Sequence, residues 1–338
     1  MISAPRRYLA RWAVGVLVLA VGAVLLVPAV SSGRTDARYA VGAADDNTTP
    51  FNLVSMPALI AHRYRGHGFR LEHLQAQNRY MRRWEISYRG DGLRLTGTLS
   101  VPRTHRAHPL VVDTHGWIRP MIYRTGAGLQ REEARLTRLG FAVLHPDYRN
   151  YGDSAYASTK PAHQPLGYPA DVLNAIVALK RARLRGIDLH RMALFGRSMG
   201  GGVALQVAEA RPTWFKALVM YSAVSSSATE NWSRWVRSDR TLRQRVARAY
   251  GTPTSNPTFW AEASSRNYVS RLGRMPVILN HGTADHMCPE YWSLETYGAL
   301  RKAGVPARLY TYKGEHHRFT ADWPEFMHRV DGFLLQHA

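Results

Sequence analysis

The chain has 338 residues, enough for one large domain or two modest ones, and 45% of them are hydrophobic, which argues against disorder along the whole length. Lys and Arg number 45 against 24 Asp and Glu, a formal net charge of +21, yet the basic clusters (Arg82-Arg83, Lys180 to Arg185) are short and no nucleic-acid motif accompanies them. The expectation is therefore a basic, solvated surface without nucleic acid as a partner. The single cysteine, Cys288, excludes an intramolecular disulfide and any multi-cysteine zinc site, and no cofactor or metal is expected.

In chain order, Arg6, Arg7 and Arg11 precede an uncharged stretch from Trp12 to Val30, followed by Ser31-Ser32-Gly33. Nineteen helical residues at about 1.5 Å each span roughly 28 Å, close to the hydrocarbon thickness of a bilayer. Residues 1–32 thus read as a membrane anchor or a signal peptide, with the rest of the chain extracytoplasmic. Residues 33–82 read as a linker and a basic N-terminal extension, and 83–338 as the catalytic domain.

Trp84 to Tyr88, the turn Arg89-Gly90-Asp91-Gly92 and the alternating Leu93, Leu95, Leu99 and Val101 predict a β-hairpin with a half-buried second strand. After it come short apolar runs without alternation: Leu110 to Val112, Phe141 to Leu144, Met192 to Phe195, Ala217 to Met220 and Pro276 to Leu279. Helical periodicity lies between several of them, at Leu129 to Leu139 and at Ala170 to Leu184. Strands apolar on both faces and separated by helices predict an α/β architecture, a mostly parallel sheet covered on both sides. Between Ser222 and Arg271 the rhythm breaks, which marks an insertion over about 223–271, its Trp232, Trp235, Phe259 and Trp260 either walling a substrate pocket or pinning the insertion to the domain.

The sharpest motif is Gly196-Arg197-Ser198-Met199-Gly200, placed after an apolar strand and before a helix. In such an elbow the serine is a nucleophile, glycines two residues either side relieve close backbone approach, and the N–H of Met199 sits at a helix N-terminus that favours negative charge. A serine hydroxyl needs a base, and the base an orienting carboxylate. Asp285 follows the strand ending in Asn280-His281-Gly282, and His316-His317 follows the strand candidate Leu309 to Tyr312. Only one of the two adjacent histidines can point correctly. The second oxyanion donor is expected from the backbone N–H of Trp117, after His115-Gly116, with His115 supporting that loop. Asp147, Tyr148 and Arg149 read as loop scaffold, and Cys288 as structural or incidental.

His115-Gly116, Asp147 to Gly152, Gly196 to Gly200, His281 to Asp285 and Tyr312 to Phe319 together resemble the prolyl-oligopeptidase-like branch of the α/β-hydrolases and its dienelactone-hydrolase-like relatives. The resemblance covers about Trp84 to the C-terminus. It implies the α/β-hydrolase fold with a cap before the acid-bearing strand, and it places the catalytic base at His317, with His316 where the family often has a small residue. It further implies a serine hydrolase acting on a small ester, an amide or a short peptide through Ser198. The propeller of larger members has no counterpart between the apolar segment and the first strand, which makes peptidase activity the less secure part of the expectation. An inactive binding protein on the same fold is the alternative of another class, and the intact Ser198, Asp285 and His317 argue against it.

Overall fold

The computed structural model describes residues 54–156 and 167–338. The apolar stretch Trp12 to Val30 lies outside these residues. Among those described, no helix is long and apolar enough to cross a membrane.

The described residues open with helix α1 (Met56–Ala61) and strand β1 (His67–Gln77), then form the expected hairpin from β2 (Met81–Gly90) and β3 (Leu93–Pro102). Asp91 and Gly92 both have positive φ, 48° and 78°, the backbone that a two-residue turn needs to match the twist of its strands. Strand and helix then alternate through β4 (His108–Thr114), α2 (Gln130–Leu139), β5 (Ala142–Pro146), α3 (Tyr168–Ala182), β6 (Ile187–Arg197), α4 (Met199–Ala210) and β7 (Ala217–Tyr221). After the insertion, which holds α5 (Ala228–Asn231), α6 (Arg240–Tyr250) and α7 (Pro257–Glu262), come β8 (Val277–Gly282), α8 (Glu290–Lys302), β9 (Ala307–Tyr312) and α9 (Trp323–His337).

The nine strands form one sheet in the order β1-β2-β3-β5-β4-β6-β7-β8-β9. The first three strands are antiparallel, β3 also meets β5 antiparallel, and every later pairing is parallel. This is the α/β-hydrolase architecture. Each apolar run buries alternate residues into opposite cores: Leu110 and Val112 meet α1, α3 and α4, whereas Val111 meets α2 and α9. Two covered faces, not one, are why these runs lack alternation.

Two expectations change. The second hairpin strand is not half-buried, because Leu95 to Ser100 are buried on both faces, the polar positions included. The sheet also begins well before residue 83: β1 pairs with β2 from His67 to Gln77, so part of the presumed extension is an edge strand and a boundary at 83 falls inside β2. In the insertion, Trp232 and Trp260 pack edge to face at 5.0 Å in a small core with Val246, Tyr250 and Val54. These two buried rings pin the insertion, with Phe259 packed partly buried against them, and Trp235 is exposed.

Candidate active site

All the candidate side chains lie just beyond the C-terminal ends of parallel strands, where such a sheet collects its loops. Ser198 follows β6, Asp285 follows β8, His317 follows β9 and Trp117 follows β4.

Ser198 has φ 58° and ψ −126°, a conformation that non-glycine residues rarely adopt. Its N–H donates to the Tyr221 carbonyl at 2.9 Å, and its carbonyl accepts from Gly201 at 2.9 Å and Val224 at 3.1 Å, so three elements hold the strained turn. The flanking glycines are required by space. A Cβ on Gly196 would stand 2.4 Å from the Gly200 carbonyl oxygen, and one on Gly200 would stand 1.9 Å from that of Thr114. The Thr114 hydroxyl donates to the Gly200 carbonyl at 2.8 Å, tying β4 to the elbow. Met199 opens α4, so its N–H lies at a helix N-terminus directly beside the serine.

Gly116 brings the β4 loop against Ser198, since a Cβ there would approach the serine Cβ to 3.0 Å. Trp117 is the next residue; its indole is 64% exposed, which leaves the backbone as its contribution at this point. His115 is fully buried, its Nδ1 bonded to the Gly116 carbonyl at 2.8 Å and its ring stacked on Tyr148 at 4.2 Å. Burial and the neighbouring His145 push its pKa well below the ordinary histidine value, so it remains neutral and supports the loop. Asp147 accepts from Thr96, Tyr123 and the Gly126 N–H, and Arg149 pairs with Asp171, as expected of scaffold.

Asp285 and His317 meet directly, Nδ1 to Oδ2 at 2.8 Å. The other carboxylate oxygen accepts the N–H groups of Met287 at 2.8 Å and Cys288 at 3.0 Å. Burial alone would raise the pKa of Asp285. Hydrogen bonds from His281 and His317, the His317 charge and the Cys288 N–H outweigh it and hold the carboxyl well below the usual carboxylate range. His316 turns elsewhere, its Nδ1 on the Ala284 carbonyl at 2.9 Å. The two adjacent histidines are thereby told apart.

Three neighbours were not legible beforehand. His281 is buried and places Nε2 3.3 Å from Asp285, while Ser293 holds its Nδ1 at 2.6 Å. Its place in the His281-Gly282 motif was the available signal. Burial, followed by the Asp285 charge, pushes the pKa of the Cys288 thiol up to about 12 against the opposing effect of the Ser198 hydroxyl, so it stays a thiol. The Cys288 backbone braces the acid loop, its N–H on Asp285 at 3.0 Å and its carbonyl against His281 Nε2 at 2.8 Å, so the residue is structural. The third is Arg197, whose guanidinium Nε and Nη1 are buried and find no hydrogen-bond partner among the described residues.

One group of side chains has the composition of a metal site. Asp113, Glu133 and His145 bring ligand atoms within 4.8 Å of one another. Glu133 is already paired with His145 and with the Arg83 guanidinium at 3.0 Å. Burial favours its neutral form, but His145 and Arg83 hold its pKa below the ordinary value, whereas Asp113 is raised by burial and by the Glu133 and Glu132 charges. Arg83 supplies the positive charge that a cation would, and the group braces the sheet beneath the Gly116 loop.

Comparison with known proteins agrees with this geometry. Residues 129–338 match the model of the prolyl oligopeptidase family. The acylamino-acid-releasing enzyme of Rattus norvegicus is 26% identical over 210 residues, 58% of this chain and 28% of that protein. YfhR of Escherichia coli O157:H7 is 27% identical over 183 residues, 54% of this chain and 55% of that one. The chain thus spans between about a quarter and about half the length of these curated relatives. Among solved structures, an acetyl xylan esterase from Paenibacillus sp. R4 superposes with a TM-score of 0.64 at 17% identity, over 84% of this chain and 92% of that one. The Pyrococcus horikoshii acylaminoacyl peptidase gives 0.63 at 18% identity, over 76% of this chain and 42% of that one. With more than half of its length matched by the family model, the chain belongs to the prolyl oligopeptidase family.

Proposed function

We propose that the protein is a serine hydrolase that cleaves a small ester, an amide or a short peptide through an acyl-enzyme on Ser198. The observation that carries this reading is the 2.8 Å bond between His317 Nδ1 and Asp285, at the same sheet edge as a serine in a strained strand-to-helix turn. With Nδ1 held by the carboxylate, His317 keeps Nε2 to receive the Ser198 proton as Oγ attacks the carbonyl carbon. The oxyanion that forms is stabilised by the N–H groups of Met199 and Trp117. Collapse expels the leaving group, which takes the proton from His317, and a water molecule activated by the same imidazole then releases the acid and restores Ser198.

Both bond types are represented by name among the relatives, an acetyl xylan esterase and an acylaminoacyl peptidase. The net charge of +21 favours uncharged or acidic acyl groups over basic ones. A fluorophosphonate probe should label the protein, and Ser198→Ala should abolish labelling while lowering kcat by up to the order of 10⁶. Near-normal turnover by a folded Ser198→Ala protein would remove Ser198 from the chemistry.

A further inference from the structure

Arg197 immediately precedes the nucleophile and is the last residue of β6, where its ladder neighbour is Tyr221. Its position alternates with Phe195 and Ala193, so its side chain leaves the sheet on the face covered by α2 and α9, at the edge where Ser198 and His317 lie. Two further arginines converge there. Arg131, at the start of α2, donates to the Phe319 carbonyl at 3.0 Å, and Arg318 adjoins His317 in the chain and is exposed.

The local charge is unbalanced. Glu132 is the carboxylate that acts on Arg197, and it is already engaged by Arg131 at 3.3 Å and by the Trp323 indole N–H at 2.8 Å. Among the charged groups that act on Arg197, two further guanidiniums face a single carboxylate, Glu132. Tyr221 does not relieve the imbalance, because its oxygen accepts the Phe319 N–H at 2.6 Å. Burial lowers the pKa of Arg197; Tyr221 and Glu132 oppose that, and Arg318 and Arg131 add to it. Arginine keeps its proton regardless, so Arg197 is a cation whose Nε and Nη1 are buried with no hydrogen-bond partner among the described residues. Such a group is costly unless an anion completes it.

We infer that Arg197, with Arg318 and Arg131 around it, is a subsite for a carboxylate on the substrate. A planar fork of donors one residue from the nucleophile suits a carboxylate better than a hydroxyl or an apolar group. The residue as a whole is part-exposed and Arg318 lies outside it, which leaves an approach from solvent. The inference rests on Ser198 being the nucleophile and adds the class of group held next to it. The carboxylate belongs either to the acyl part or to the leaving group, as in a peptide with a free C-terminus.

The test compares paired esters in the full-length protein and in Arg197→Met. On the acyl side the pair is p-nitrophenyl hydrogen glutarate and p-nitrophenyl hexanoate; on the leaving side it is para-acetoxybenzoate and its methyl ester. The charged-over-neutral ratio of kcat/KM, corrected for spontaneous hydrolysis, should fall by about tenfold or more in Arg197→Met for one of the pairs, and that pair identifies the source. Arg197→Lys should recover part of the ratio, and added salt should lower it in the unaltered protein. Ratios equal in the two proteins for both pairs would overturn the inference. Equilibrium binding of glutarate against glutaramide to the unaltered protein reads the same contact without turnover, so it stands if Arg197→Met fails to fold or if no ester is cleaved. Glutarate should bind at least about tenfold more tightly; equal affinities would also overturn the inference, whereas tight glutarate binding without any esterase activity would count against Ser198 as nucleophile and not against the subsite.

Discussion

Asp285 carries more of the site's order than its single bond to His317 suggests. One oxygen is shared by His317 and His281, and the other is held by two backbone N–H groups. Its folded pKa lies below the ordinary 3.8, so its contribution to stability is present above that value and is lost as pH falls through the lower folded value. Above that value the carboxylate is therefore constantly charged, and it fixes which ring nitrogen faces the serine. His317→Ala should lower kcat by the order of 10⁴ or more, whereas His316→Ala, which loses only a bond to the Ala284 carbonyl, should stay within about tenfold of the unaltered protein. Steady-state kinetics on one ester checks both; the reverse result would transfer the role to His316. Ser198, Asp285 and His317 were legible because each follows a strand in a fixed chain order. Thr114 acts through a contact with Gly200, which is distant in sequence, and no local pattern announces it.

At the scale of elements, the elbow depends on close approach between β4 and α4. An alanine at Gly200 would place its Cβ 1.9 Å from the Thr114 carbonyl oxygen, a separation that only backbone movement can relieve. Gly200→Ala should cost about 3 kcal/mol in unfolding free energy and also reduce kcat, because the movement separates Gly116 from Ser198. Denaturant unfolding together with kinetics checks this, and a variant of unchanged stability and rate would contradict the packing described. By contrast, Gly298 on α8 has open space at its Cβ position and tolerates the same change. The parallel strands were legible from their doubly apolar runs. β1 was not, because His67 to Gln77 is exposed along nearly its whole length and so has no apolar period to read. The aromatic residues of the insertion were visible, but their partition between a core of their own and the surface depends on packing.

For the whole molecule, the sheet order sets where each part of the site is anchored. β6, which ends at the serine, is flanked by β4 and β7 in the middle of the sheet, and its Met192 to Gly196 are buried on both faces. β9, which leads to His317, is the outermost strand with β8 as its one neighbour, and four of its six residues are at least partly exposed. The nucleophile and its base thus belong to regions of unequal local stability. A sub-global opening that frays β9 would carry His317 away from Asp285 while β6 and its turn remain folded. Amide hydrogens of 307–312 should exchange faster with solvent than those of 192–196, and activity should disappear at denaturant concentrations below the main unfolding transition. Equal protection of the two strands would mean that the sheet opens as a single unit. With unequal protection, the enzyme switches off reversibly before it unfolds, its nucleophile still in place.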